Sequence, residues 1–361
     1  MKNAANKPWR LKIDQGYKPK VSILVPTYNE ASIIGFKLEN LSRLEYPKEM
    51  TQIILVDSNS DDQTLLIANN FVKQRPKMKV QVLTESERRG KSAALNCALK
   101  HCEGDVIIVS DADCFWPSDA LEKALPFLAD PNVGAISGPK ILLNPEQSWI
   151  TRTEDAYLNS ANLLKLGESK IGSTLLFEGG FSAYKKDVIE AFDPYGTGSD
   201  DSGTVIKVVE SSSRAILVPE ARFFSAFPTT WKGKMGIKTR RANQLVRVFS
   251  RYAALLLRKR VKNSKRVISQ NLLVYLVSPT LFILLLVTAI PVLMAFPYIG
   301  ALLAIFLVPR VRTYLFETVQ SYLVLFLSIL SVALGKKIIA WDKPEDRGLF
   351  IEDMLRQRML I

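Results

Sequence analysis

The rhythm of apolar and polar positions changes twice along the chain. Over roughly the first 220 residues, short apolar or β-branched runs alternate with stretches of helical period. The runs are Val21–Val25, Gln52–Val56, Lys79–Leu83 and Asp105–Val109, and the helical stretches between them are Glu30–Leu44, Thr64–Gln74 and Lys91–His101. Runs of this length read as buried strands, and their alternation with helices predicts a parallel, doubly wound α/β sheet. Such sheets bind ligands outside the carboxyl ends of their strands, near the switch in strand order. Amphipathic helices are also predicted over Ser148–Leu166 and Ser202–Val209.

The second change comes after Arg266, where 43 uncharged residues run up to Arg310. One membrane span needs about 20. The pattern predicts a helix over Ser269–Ile290, a turn offered by Pro291 and Pro297, a short helix over Val292–Val308, and a third span over Thr318–Leu334. In the preceding segment, Phe249, Tyr252, Ala253, Leu256 and Leu257 recur at helical spacing between basic residues. This predicts helices lying at a membrane surface. The expected division is an extension at 1–20, an α/β domain at 21–228, basic interfacial helices at 229–266, about three transmembrane helices at 267–335, and a tail at 336–361.

Charge sharpens that division. The 361 residues carry 48 basic and 35 acidic side chains, a net +13. Residues 229–266 hold 13 of the basic ones and no acidic one, so the rest of the chain is balanced. A nucleic-acid coat would spread its charge over a domain face. The expected partners are therefore local and anionic, a lipid bilayer above all, with no nucleic acid. Cations ahead of the first span predict an integral, multi-pass membrane protein with its α/β domain cytoplasmic. Arg310 and Arg312 fit a cytoplasmic loop. Lys336 and Lys337 resist an outside location after a third span, and a re-entrant 292–308 segment would return the tail to the cytoplasm. Met1–Gly16 is polar and predicts no signal peptide. Cys97, Cys102 and Cys114, with the single His101, lack disulfide-framework and zinc spacing.

Polar groups gather where the strands should end: Pro26-Thr27-Tyr28-Asn29-Glu30, then Asp57 through Thr64, then Asp111-Ala112-Asp113. Two carboxylates at i and i+2 after a buried strand can converge on one hard divalent ion, Mg²⁺ or Mn²⁺. Such an ion would bridge a diphosphate and neutralise a leaving group. Gly90-Lys91-Ser92 resembles part of a phosphate-binding loop but lacks the first glycine and spacer of the P-loop, which disfavours a kinase or ATPase.

In order and spacing, Val25-Pro26-Thr27-Tyr28-Asn29-Glu30, the run from Val56 to Thr64, Gly90-Lys91-Ser92-Ala93-Ala94-Leu95-Asn96 and Asp111-Ala112-Asp113 resemble the family 2 glycosyltransferases. The resemblance covers about Val21 to Arg247. It implies a GT-A fold, a nucleotide-sugar donor and inversion at the anomeric carbon. With membrane segments behind it, the chain is similar to the cellulose-synthase-like and hyaluronan-synthase-like branch or to dolichyl-phosphate mannosyltransferases.

The resemblance implies that Pro26, Thr27, Tyr28 and Glu30 border the nucleotide. Asp57 would contact the nucleoside, Lys91 the nucleoside and phosphates, Asp111 the donor sugar or ribose, and Asp113 the metal, Mn²⁺ or Mg²⁺. The processive branch places its general base last in Thr-Glu-Asp. That string occurs at Thr153-Glu154-Asp155, but too soon after Asp113 and on a helix whose charges should be exposed. Ser199-Asp200-Asp201 follows an acceptor-loop-like Glu178-Gly179-Gly180, which makes Asp201 the expected base and Asp200 its acidic predecessor.

The Gln-x-x-Arg-Trp motif of that branch has two registers here, Gln244 with Arg247, or Arg240 with Arg241. Either offers a guanidinium to the leaving diphosphate. Both lack the Trp, for which Trp231 is the candidate substitute, although an interfacial anchor is the commoner use of such a Trp. The expected reaction is transfer of mannose from GDP-mannose to a polyprenyl or dolichyl phosphate, or a lipid-linked glycan, in glycan assembly. The alternatives are a processive polysaccharide synthase using a UDP-sugar, and an inactive nucleotide-binding scaffold.

Overall fold

A computed structural model describes residues 1–296, 309–338 and 351–361. Its strands are β1 Val21–Thr27, β2 Thr51–Asp57, β3 Lys79–Thr84, β4 Val106–Val109, β5 Val133–Ser137, β6 Lys140–Leu142, β7 Ser182–Lys185, β8 Arg214–Leu217 and β9 Phe223–Ser225. Its helices are α1 Lys2–Ala5, α2 Ile34–Ser42, α3 Thr64–Gln74, α4 Lys91–Leu99, α5 Ala120–Ala124, α6 Trp149–Ile171, α7 Ser202–Glu210, α8 Trp231–Leu257, α9 Lys265–Leu272, α10 Ser278–Ala295, α11 Pro309–Ala333 and α12 Ile351–Gln357.

Seven strands form one sheet in the order β3-β2-β1-β4-β7-β5-β8. Its neighbours run parallel except at β7, which is antiparallel to both β4 and β5. β6 and β9 make a small parallel pair beside it. The apolar runs are continuous because both faces of the sheet are covered. Ile23, Val25, Ile53 and Leu55 point into one core with α2, α3 and α5. Leu24, Ile54 and Val56 point into the other, with α4, α7 and α8. β1 sits between β2 and β4, so the connections diverge there and leave a crevice at the strand ends.

The basic segment departs from expectation. It is one 27-residue helix, α8, capped by Thr230, whose Oγ1 accepts from Gly233 N at 3.3 Å. Phe249 and Tyr252 are wholly buried in the α/β core rather than turned to lipid. On another side, Ala242 and Met235 meet Val324 and Leu325 of α11. A helix wedged between the sheet and a candidate span buries more than one face. Arg258, Lys259, Arg260, Lys262, Lys265 and Arg266 do stand exposed, in and just beyond the turn into α9.

Two helices among the described residues are long and apolar enough to cross a membrane, Lys265–Val292 and Leu315–Ala333. The first joins α9 and α10 through a π turn at Leu273–Val277. Pro291 lies inside α10 instead of ending it. The expected short helix at Val292–Val308 therefore contributes Val292–Ala295 to α10, and its remainder from 297 lies outside the described residues. The third expected span corresponds to α11. Segment 351–361 returns to the α/β domain, where Ile351, Leu355, Leu360 and Ile361 pack with Ile33, Phe115, Leu143 and Phe224. That contact seats it directly on the α/β domain.

Candidate active site

The polar strand ends open into one cavity of about 1130 Å³. Pro26, Thr27, Tyr28 and Glu30 line one end of it. Thr27 is fixed by its hydroxyl, which donates to Val56 O at 3.1 Å. Arg88, which the sequence did not single out, lies over the Tyr28 ring at 3.9 Å from the centroid. Asp57 is 2% exposed and lies behind the lining. Its carboxylate accepts from Ser60 N at 3.0 Å and from the Ser60 hydroxyl, closing the turn after β2. That turn presents Ser58 to the cavity, with Ser58 Oγ donating to Glu85 at 2.8 Å.

The centre is an ion-paired cluster. Gly90, at φ 97°, turns the chain into α4, and Lys91 follows as its first residue. Lys91 Nζ lies 2.6 Å from Asp111 Oδ1 and 2.8 Å from Asp200 Oδ2. Burial works against the ammonium, but Asp111 and Asp200 overcome it and hold its pKa above the ordinary value. Burial raises Asp200 to about 6, with Lys91 opposing and Asp201 and Asp111 adding to the rise. A Cβ at Gly179 would lie 2.6 Å from Lys91 Nζ and 2.8 Å from Asp111 Oδ2, so a larger residue there would shift this ion pair.

Asp111, Asp113 and Cys114 bring ligand atoms within 4.8 Å of one another. Burial pushes the Cys114 thiol well above its usual value, so the two carboxylates dominate this donor set. From behind, the buried Lys37 donates to Ser110 Oγ and Cys114 O, both at 2.6 Å. Burial lowers its pKa to about 8.

Asp201 caps α7. Its Oδ1 accepts from Ser202 N and from the Ser199 hydroxyl, which fixes the carboxylate at the cavity wall. Thr153, Glu154 and Asp155 do not line the cavity. They sit on α6, as expected of that segment, but Glu154 is buried at 4% exposure rather than solvated. It lies near Arg241 and Lys234 of α8; burial works against the Arg241 guanidinium, but Glu178 first and Glu154 next hold its pKa above the ordinary value. Asp155 accepts from Asn159 at 2.9 Å.

Beyond Asp201 the cavity becomes cationic. Lys140, Lys165, Arg240 and Arg241 line it, and Lys165, Arg241 and Lys140 lie close enough to Glu178 to act on its charge. Glu178 takes Lys165 at 2.7 Å and Arg241 at 3.6 Å. Burial opposes its charge, yet Lys165 and Arg241 hold its pKa down to about 2. Gln244 lines the same wall and donates to Gly198 O at 2.5 Å. Arg247 is elsewhere, with its guanidinium on the Gly196–Gly198 loop, 3.5 Å from Gly196 O, and outside the lining. Of the two registers, only Arg240 with Arg241 puts its guanidinium groups into the cavity.

The far end is made by Tyr157, Leu158 and Leu164 of α6 facing Leu273, Val274 and Tyr275 of the first candidate span. Tyr157, Leu164, Leu273 and Val274 are 45–55% exposed there. Sequence reasoning missed Lys140, Lys165 and Glu178 as site residues, although Glu178 opens the Glu178-Gly179-Gly180 run that it had marked.

Residues 22–192 match the family model for glycosyl transferase family 2. The chain is 35% identical to a beta-monoglucosyldiacylglycerol synthase of Synechocystis sp., over 38% of this chain and 29% of that enzyme. It is 30% identical to the probable glycosyltransferase YdaM of Bacillus subtilis, over 63% of this chain and 56% of the other. The chain thus matches about a third of the first of these curated relatives and about half of the second. A solved structure is alike over far more of its length. Mannosyltransferase PcManGT from Pyrobaculum calidifontis, in complex with GDP-Man and Mn²⁺, is 30% identical over 93% of both chains with a TM-score of 0.78. With that likeness added to the family match across the sheet, the chain belongs to glycosyl transferase family 2 and is a nucleotide-sugar glycosyltransferase.

Proposed function

We propose that this enzyme transfers a single sugar, mannose from GDP-mannose in first place, to a phosphate-bearing membrane lipid. Dolichyl phosphate is the simplest such acceptor, and a lipid-linked glycan is the next. The observation that carries the reading is the make-up of one cavity. Its wall combines Asp111 and Asp113, then Asp200 and Asp201, then four cationic side chains, and lastly apolar residues of a candidate span. A nucleotide sugar fits the first part, a phosphate the third and a lipid tail the last. The GDP-Man and Mn²⁺ bound by PcManGT support the donor and the ion.

Asp111 and Asp113 are the residues that would hold Mn²⁺ or Mg²⁺, since their oxygens are close together and suit a hard cation. When bound, that ion supplies charge neutralisation for a leaving diphosphate. Lys91 holds Asp111 and Asp200 in place and adds a positive charge beside the diphosphate. Arg240 and Arg241 line the cavity from α8, between the two phosphate positions, and offer their guanidinium groups to this charge as well as to the acceptor phosphate. Asp201, oriented by Ser199 and Ser202, is the group to take a proton from an acceptor hydroxyl. The exposed cations from Arg258 to Arg266, at the start of the span, support a multi-pass protein whose catalytic domain lies on the cytoplasmic face.

The test is a donor panel of GDP-mannose and UDP-sugars with Mn²⁺ and three acceptors: a short polyprenyl phosphate, a lipid-diphosphate sugar and diacylglycerol. Nucleoside diphosphate release and the mass of the lipid product are read. One mannose added to a phosphate-bearing lipid is expected. Transfer to diacylglycerol alone would sink the phosphate reading. A ladder of products from a UDP-sugar would establish a processive synthase instead, and no transfer from any donor would leave the inactive scaffold.

A further inference from the structure

Residues 351–361 lie far from the donor pocket in sequence and directly behind it in space. Leu355 is wholly buried, and with Ile351, Leu360 and Ile361 it packs on Phe115 and Phe224. Those two rings belong to segments joined by their main chains, since Phe115 N donates to Phe224 O and Phe224 N to Phe115 O, each at 2.8 Å. Phe115 is two residues past Asp113. Phe224 stands between Phe223 and Ser225, both on the cavity wall.

One buried side chain ties these parts together. Asn40 of α2 is 2% exposed. Its Nδ2 donates to Trp116 O at 2.8 Å and to Leu360 O at 2.7 Å, while its Oδ1 accepts from Trp116 N at 2.9 Å. A mere apolar plug would need no such main-chain clasp. The chain just after α11 is held in the same way. Asn243 of α8 donates to Lys336 O and accepts from Ile338 N, both at 3.2 Å. The stretch following the second candidate span is thus pinned to the catalytic domain at two places, and the second is the back of the Asp111–Trp116 turn.

We propose that segment 351–361 is a brace behind the Asp111–Trp116 turn, so that docking of the segment fixes the two carboxylates for metal binding. This rests on reading Asp111 and Asp113 as the metal site. Groups that position a ligand from behind typically change metal affinity by about 10–100-fold when lost.

The experiment uses the full chain with Leu355→Asp, which places a charge in the buried contact and releases the segment. Leu355→Ala serves as a milder variant should the first fail to fold. Two quantities are read: amide hydrogen exchange, and the Kd for Mn²⁺ alone. Useful reporters are the amides of Asp111, Cys114, Phe115 and Trp116, each donating to a named acceptor in the intact fold. Release should speed their exchange and raise the Mn²⁺ Kd about tenfold. A synthetic peptide of residues 351–361 added in trans should reverse both. Unchanged exchange at these four amides and an unchanged Kd, with 351–361 itself exchanging freely, would overturn the brace. Faster exchange at the turn in a protein whose wild type binds no Mn²⁺ would instead keep the brace and remove the metal reading.

Discussion

The two ends of the cavity are built differently. The end we assign to the donor stands on the tips of β1, β2 and β4, which adjoin in one sheet. Its residues therefore come in short runs, each directly after a strand. The acceptor end is assembled from α6, β6, α8 and α9 together with the loop before β7, so Lys140, Lys165, Glu178, Arg241 and Asn271 meet from five separate stretches. The electrostatics differ too. Carboxylates gather around one lysine at the first end, and cations around one glutamate at the second. A strand-end site holds its chemistry by register, whereas a helix-walled site holds it by ion pairs that must form together.

The largest expected effect lies at the junction of the two ends. Asp201→Asn should lower single-turnover transfer to a hydroxyl acceptor by about 10²–10⁴-fold while leaving Mn²⁺–GDP affinity unchanged. The size of the loss reports on the acceptor. A phosphate monoester has a second pKa of about 6 and is already ionised near neutrality, so it needs no base. Full loss with a lipid-linked sugar and little loss with a polyprenyl phosphate would assign Asp201 to proton transfer. Wild-type turnover with both would remove it as the base.

A smaller effect should separate the ends. Lys165→Ala takes a buried cation from the Glu178 cluster but touches nothing at Lys91. The KM for a phosphate-bearing lipid should rise by about tenfold or more, in keeping with loss of a charge-assisted bond. The KM for the donor should stay within twofold or so. An equal rise in both would mean that Lys165 serves the donor diphosphate as well, and the division of the cavity would be wrong.

The gathering of polar groups at the end we assign to the donor was legible in the sequence because the parallel sheet brings strand ends to one edge. Thr27, Lys91, Asp111 and Asp113 each sit within a residue or a few of an element that the apolar pattern marks. The antiparallel β7 and the short β5, β6, β8 and β9 were not legible. Their three to five residues give too little period to tell strand from loop. The acceptor end was hidden for another reason. Lys165 on an amphipathic helix reads as a solvated charge, and only the fold shows it 7% exposed against Glu178. Glu154 misled in the same way. On α8, helical spacing was read correctly but the burying partner was not. A stripe such as Phe249 and Tyr252 specifies that something apolar covers it, without saying whether that is a bilayer or a β-sheet core.

The last and smallest prediction tests the contrast through pH. The pKa of Glu178 is held near 2 by Lys165 and Arg241, below the value of an unfolded glutamate. Its contribution to stability is therefore present above about pH 4.3 and is lost as pH falls toward 2. A shift of that size corresponds to something on the order of 3 kcal/mol. Asp200 goes the other way. Burial raises it to about 6, above the unfolded value, so its contribution is present below about pH 3.9 and is lost as pH rises through 6. Glu178→Gln should lower Tm at pH 7, with the deficit closing as acid is added. Asp200→Asn should raise Tm at pH 7, with the gain closing below pH 4. A gain of Tm in Glu178→Gln at neutral pH would mean that its ion pairs do not compensate its burial, and parallel pH profiles for the two variants would erase the electrostatic distinction between the ends.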